Sequence, residues 1–225
     1  MPILILIFIL FTGMATAQPL TTTTRLSCEI ENTPTSTILT AKVEGSDAPV
    51  KFRIDWLSGK ETPENFKNQP GKGEFLTSTH LLGKTTLTRT VLTSTESDCI
   101  FIHVHADQPG PVHFTARFVS KDPVEIHDRR QLILTGKETH AHAWIIHYES
   151  DITDNGKGTI TLAGEGEALI ILNLTPDSTK HPISDTLTRL GEKYDPGHTP
   201  ASPHLIWEGI EDEREKGRSG EGEKD

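Results

Sequence analysis

Short alternating segments constrain this chain more than any other feature. Between residues 25 and 175, apolar and polar residues alternate in eleven runs of six to nine residues: 25–31, 36–44, 50–57, 73–80, 85–93, 99–106, 112–119, 131–136, 141–149, 158–164 and 168–175. Successive side chains of an extended strand point to opposite faces, so a period of two fits a strand with one face buried and cannot give a helix an apolar stripe. Turn residues separate the runs, as in Gln108-Pro109-Gly110-Pro111 and Asp154-Asn155-Gly156, and they supply the fixed and positive backbone angles of tight reversals. Each of these two turns reads as the bend of a β-hairpin. The expected fold is therefore all-β, a large antiparallel, supersandwich-like β-sandwich. Eleven strands are too many for a small immunoglobulin domain. Moreover, Trp56 lies 28 residues after Cys28, and Ser97 stands where that domain would place a tyrosine.

The two ends of the chain differ from its body. Residues 1–17 combine an apolar run from Ile3 to Phe11 with Ala15-Thr16-Ala17, the form of a secretory signal cleaved after Ala17. The run is shorter than the roughly 20 residues that a bilayer requires. Residues 18–193 are assigned to the sandwich. They close on one short C-terminal helix in the stretch from Ser184 to Tyr194, with Ser184 as its cap, Leu187 and Leu190 on one face and Gly191 as its stop. Residues 194–207 read as a Pro-rich linker whose Leu205, Ile206 and Trp207 pack back on the sheet. Residues 208–225 hold eight acidic and four basic side chains and read as a disordered tail. The whole chain carries −10, so the body keeps about −6 once the tail is set aside. Nucleic-acid binding, which needs clustered Lys and Arg, is disfavoured, and no membrane span follows the signal. A secreted or periplasmic, cell-envelope location is expected. In such an oxidising compartment Cys28 and Cys99 either form a disulfide or remain two buried thiols.

Several side chains invite a functional reading. His103 and His105 share one strand face, as do His140 and His142, and two such strands side by side would offer four imidazoles to a metal. The competing reading is a solvated or half-exposed polar face. Trp56 borders the long polar stretch that starts at Ser58, and Trp207 borders the linker. Both are candidates for stacking on a sugar ring, whereas Trp144 lies in the apolar run His142–Tyr148 and reads as core. Asp151, Asp154, Glu165 and Glu167 fall in turns, and nothing in their spacing selects the carboxylate pair that glycoside hydrolysis requires. No nucleophile elbow, phosphate loop or zinc-helix motif occurs, so no catalytic residue and no cofactor are assigned. Asn173-Leu174-Thr175 matches a glycosylation sequon but lies inside a strand and precedes Pro176.

One stretch carries a family resemblance. In "TLTRTVLTSTESDCIFIHVHADQPGPVHFTARF", Arg89, Ser94, Asp98, Ala106, Asp107, Pro109 and Gly110 fall in a pattern similar to the N-terminal β-sandwich domain of glycoside hydrolase family 95, the α-L-fucosidase family. The order that follows is also similar: "LILTGK", a strand around Trp144, "GTITLAGEGEALIILNLT" and a helix at Ser184. The resemblance covers about half the chain, Thr85 to Lys193, and implies a sandwich fold with a carbohydrate association. The Gly- and Asn-rich block that opens the family domain has only a faint echo at Arg53–Gly59. No counterpart of the catalytic helical barrel follows Lys193. The expected role is non-catalytic, either carbohydrate-associated or structural, with a carbohydrate or a separate catalytic chain as partner. The alternatives are one component of a split hydrolase or a metal-binding envelope protein.

Overall fold

The structure, a computed structural model, describes residues 18–20, 26–44, 46, 48–57, 62–70, 75–93, 99–108, 111–137, 139–147, 151–175, 190, 192–193 and 203–220. The described residues form fifteen strands. The first eight are β1 (Gln18–Leu20), β2 (Leu26–Asn32), β3 (Ser36–Val43), β4 (Val50–Trp56), β5 (Glu64–Pro70), β6 (Phe75–Leu82), β7 (Thr85–Thr93) and β8 (Cys99–Ala106). The remainder are β9 (Pro111–Phe118), β10 (Val124–His127), β11 (Gln131–Thr135), β12 (His140–His147), β13 (Asp151–Asp154), β14 (Thr159–Glu165) and β15 (Glu167–Thr175). One helix of 18 residues, α1 (Pro203–Gly220), follows them. The strands make two antiparallel sheets. Sheet A runs β1-β2-β3-β4-β9-β14-β13, and sheet B runs β10-β11-β12-β15-β8-β7-β6-β5.

The all-β sandwich read from the sequence is the fold observed, and its core is the space between the sheets. Strand β2 shows why: Leu26, Cys28, Ile30 and Asn32 are buried while the residues between them are exposed. The inward residues of sheet A meet those of sheet B, with Phe52, Ile54 and Phe114 facing Ile100, Ile102 and Ile170 in one continuous cluster. Strands β8, β12 and β15 are buried on nearly every residue because the outer face of sheet B is also covered. Leu92, Cys99, Phe101, Ile146, Leu169 and Ile171 on that face form a second apolar cluster with Ile206 and Trp207 of α1 and with Leu190.

The bend at Asp154-Asn155-Gly156 is the expected hairpin, joining the paired β13 and β14, but two other bends cross between the sheets. The bend after Gln108 joins β8 of sheet B to β9 of sheet A, and the bend at Gly166 joins β14 of sheet A to β15 of sheet B. Both are corners between layers instead of hairpins. The hairpin partner of β8 is β7, with Arg89 opposite Val104. Gly166 has a φ of 80° at its corner, which a residue with a Cβ adopts only under strain.

The ends also differ from expectation. Residues 203–220, read as linker and disordered tail, are helical. Glu, Lys and Arg are good helix formers, and Ile206, Trp207 and Ile210 give the segment an apolar anchor on sheet B. Proline suits the first turn of a helix, where its missing N–H has no partner to lose. Of the helix expected from Ser184 to a stop at Gly191, Leu190 is described and is helical, and Glu192 and Lys193 are helical beyond the expected stop; the rest of 184–194 lies outside the described residues, as do the signal segment 1–17, Ser94, Asp98, Pro109 and Gly110. Among the described residues no helix is long and apolar enough to cross a membrane.

Candidate functional site

Arg89 stands out in the interior. It projects from β7 into the space between the sheets and is fully buried. No carboxylate among the described residues pairs with it. Its Nη1 donates to Thr37 Oγ1 (3.3 Å), and its Nη2 donates to the Thr33 carbonyl (3.1 Å) and to His80 Nδ1 (3.3 Å). The guanidinium carbon lies 5.0 Å from the Trp56 ring centre and 5.4 Å from that of Phe66. Aromatic faces and neutral acceptors thus take the place of a counter-ion. Burial lowers the Arg89 pKa to about 9, so the group stays charged at neutral pH. Burial, followed by the charge of Arg89, lowers that of His80 to about 4, which keeps the imidazole neutral and able to accept.

A second polar cluster lies on the other face of sheet B. His103 Nε2 donates to Glu167 Oε1 at 2.5 Å, and its ring stacks on Trp207 at 4.6 Å between centres and 14° between planes. His204 of α1 approaches the other Glu167 oxygen at 3.5 Å and Glu208 at 3.2 Å. His105 stacks beside His103 at 6.3 Å. Burial pushes the Glu167 carboxyl upward, but the hydrogen bond from His103 and the nearby His103, His204 and His105 outweigh it, so its pKa lies below the ordinary value.

The third feature is an open groove of about 570 Å³ where the free edge strand β10 of sheet B meets the turn after β13, the free edge of sheet A. Val124 and Ile126 form its half-buried apolar side and pack against the core. At the β10–β11 turn, Asp128 and Arg129 have φ of 48° and 56°, and the Arg130 N–H donates to the His127 carbonyl at 3.1 Å. Two positive φ angles in succession match a type I′ turn and project two exposed charged side chains at the groove. His127 donates to Glu125 at 3.2 Å. Across the groove, Asp154 Oδ1 accepts from the Gly156 N–H at 3.0 Å, and Asn155 Oδ1 accepts from the N–H groups of Lys157 and Thr159. Gly158 allows the two walls to approach, because a Cβ there would lie 2.9 Å from the Val124 Cβ.

The residues singled out from sequence fall differently from expectation. Trp56 is 7% exposed, donates from Nε1 to Thr37 Oγ1 (3.1 Å) and packs edge-on against Phe114; Trp207 is 4% exposed beneath His103. Neither presents a face on which a sugar could stack. Trp144 is only partly buried, against the outer cluster and not in the inter-sheet core. Strand β15 separates the strands of the two His pairs: His103 opposes Leu169, and His142 opposes Asn173. Those positions are about 13 Å apart along β15 and two strand spacings apart across the sheet, so the four imidazoles do not converge. Among the described residues no group of three or more His, Cys, Asp or Glu is arranged to hold a metal.

Cys28 and Cys99 are separate buried thiols rather than a disulfide. Cys28 faces the inter-sheet core from sheet A, whereas Cys99 lies on the outer face of sheet B, and sheet B itself stands between them. Burial, followed by the charge of Glu29, pushes the Cys28 pKa up to about 12. Asn173 of the sequon is buried and donates to Cys99 Sγ. Sequence reasoning missed the role of Arg89 and the groove. A lone Arg at an inward position of an alternating strand was the available signal for the first; the second depends on two turns brought together only by the sheet order.

No family model and no curated protein matches the sequence. Among solved structures the chain is similar to a glycoside hydrolase family 81 protein from Clostridium thermocellum, solved as a point mutant, with a TM-score of 0.43 and 13% sequence identity. The match covers 72% of this chain and 22% of that one, so the chain spans under a quarter of the protein that it resembles.

Proposed function

We propose that this chain is an exported, non-catalytic β-sandwich protein that associates with carbohydrate, a counterpart of the N-terminal domain of family 95 glycoside hydrolases. The placement of the residues behind that resemblance is the observation that supports it. Arg89 is buried between the layers, Ala106 is buried at the end of β8, and the Asp107 carboxylate accepts the Thr86 N–H at 2.8 Å. These three, the described residues of that pattern, serve the framework, which supports a likeness to an accessory domain. The perturbed groups fit the same reading: burial accounts for Arg89, His80 and Cys28, and its imidazole partners account for Glu167.

A glycan array probed with the purified chain, run beside an assay on a chromogenic fucoside, tests the proposal. Glycan binding without turnover is expected. Turnover by the unaided chain would overturn the non-catalytic part, and a blank array would overturn the carbohydrate part. Export is tested separately by sequencing the amino terminus of the secreted protein, with Gln18 expected as its first residue.

A further inference from the structure

We infer that the groove between β10 and the turn after β13 binds uncharged sugar units, with Glu125, Asp128 and Asp154 accepting from hydroxyl groups and Val124 and Ile126 meeting the apolar face of the ring. The inference rests on the carbohydrate reading above and gives it a location and a ligand class.

Three observations lead to it. The volume, about 570 Å³, lies in the range of roughly 300–1,000 Å³ typical of small-molecule sites. Its lining is two-sided, as a pyranose is: an aliphatic flank beside a rim of charged acceptors with Arg129 and His127 among them. Carboxylates are the strongest acceptors that a protein can offer a hydroxyl. The walls are held in advance, since Gly156 N–H fixes one oxygen of Asp154 and His127 orients Glu125. A site ordered beforehand gives up less entropy on binding.

Charge decides which sugars fit. Three carboxylates face one guanidinium on the rim, and the chain carries −10 overall. Uronate and sulfated units are therefore repelled. The two buried tryptophans cannot help, so each unit is held by hydrogen bonds and aliphatic contact, and a multivalent display is needed to reveal the binding.

The experiment uses the full secreted chain and the variant carrying Glu125→Gln, Asp128→Asn and Asp154→Asn on an array holding uncharged, uronate and sulfated glycans. These side chains are exposed and the replacements keep their shape, so thermal melting should be unchanged. The wild type should select uncharged glycans, and the variant should lose about tenfold or more of that signal, as expected when charge-assisted hydrogen bonds are weakened. Uncharged binding retained in a folded variant would overturn the groove while leaving the carbohydrate reading intact. Preference for uronate or sulfated glycans would overturn the ligand class. A wild type blank throughout would overturn both.

Discussion

Sheet B carries a polar cluster on each face, and the two solve the problem of burial in opposite ways. On the inner face Arg89 is held by a carbonyl, a hydroxyl, a neutral imidazole and two aromatic rings, with no carboxylate among the described residues. On the outer face a carboxylate, Glu167, gathers His103 and His204 beneath and beside a helix. The inner cluster joins β3 and the turn before it to β6 and β7, so it ties one sheet to the other. The outer cluster joins α1 to a sheet that is already complete. The inner network should therefore set the stability of the whole molecule, and the outer one only the docking of its last helix.

The largest expected effect follows from that difference. Arg89→Ala removes a large buried side chain and leaves the Thr33 carbonyl and His80 without their donor. Large-to-small changes in a core cost about 3–5 kcal/mol, and orphaned buried acceptors add to that cost. Urea unfolding should show the whole transition moving to lower denaturant with its slope unchanged. Arg89→Met, which restores volume without charge, should recover a substantial part of the loss. A loss below about 1 kcal/mol for Arg89→Ala would show that the guanidinium does not clamp the sheets.

Trp207→Ala probes the other face. Among the α1 residues whose side chains are described, Ile206 and Trp207 are the buried ones, and each buried side chain of this size contributes about 1.5–3 kcal/mol. The loss should fall on the helix alone: weaker helical circular dichroism and faster proteolysis within 203–220, with the unfolding transition of the sheets nearly in place. A fall in the sheet transition as large as that of Arg89→Ala would erase the distinction between the faces.

How much of this was legible in the sequence depends on how far each feature reaches. Alternation is local, so strands such as β2 and β8 and the all-β class can be read from neighbouring residues. Sheet membership is not local. The residues around Pro109 and Gly166 give the same turn chemistry whether the chain folds back within one sheet or crosses to the other, and only the pairing of β8 with β15 and of β9 with β14 decides. The same order separates His103 from His142 and Cys28 from Cys99. Trp56 and Trp207 look available beside polar sequence because their partners, Arg89 and His103, are distant in the chain. The helix at 203–220 was hidden by its charge, since composition shows a solvated tail and does not reveal that three apolar residues at its start have a sheet to rest on.

His80 sharpens the comparison through pH. Its folded value of about 4 lies below the unfolded value near 6.5, so the unfolded chain binds more protons between these limits. Stability is then complete above about pH 6.5 and is lost as pH falls toward 4, by an amount on the order of 2 kcal/mol. His80→Asn keeps an acceptor for Arg89 Nη2 and removes the titration, so its stability should be flat over that interval in urea titrations. A slope that persists in the variant would place the acid sensitivity elsewhere.

The smallest effect belongs to Glu167 and falls in a lower window. Its folded pKa lies below the ordinary 4.5, so its contribution is complete above that value and is lost as pH falls through the folded value. Glu167→Gln keeps an acceptor for His103 but removes the charge, and should cost about 0.5–1.5 kcal/mol of helix docking at neutral pH. Wild-type α1 should loosen below about pH 4.5, read as loss of helical signal and of protection from an acid-active protease, while the variant shows its weaker docking without that acid limb. Because His80 titrates between about 4 and 6.5, an acid titration should weaken the inter-sheet tie first and release the helix second. Release of α1 at pH 5 to 6, before any change in the sheets, would reverse the order that the two faces imply.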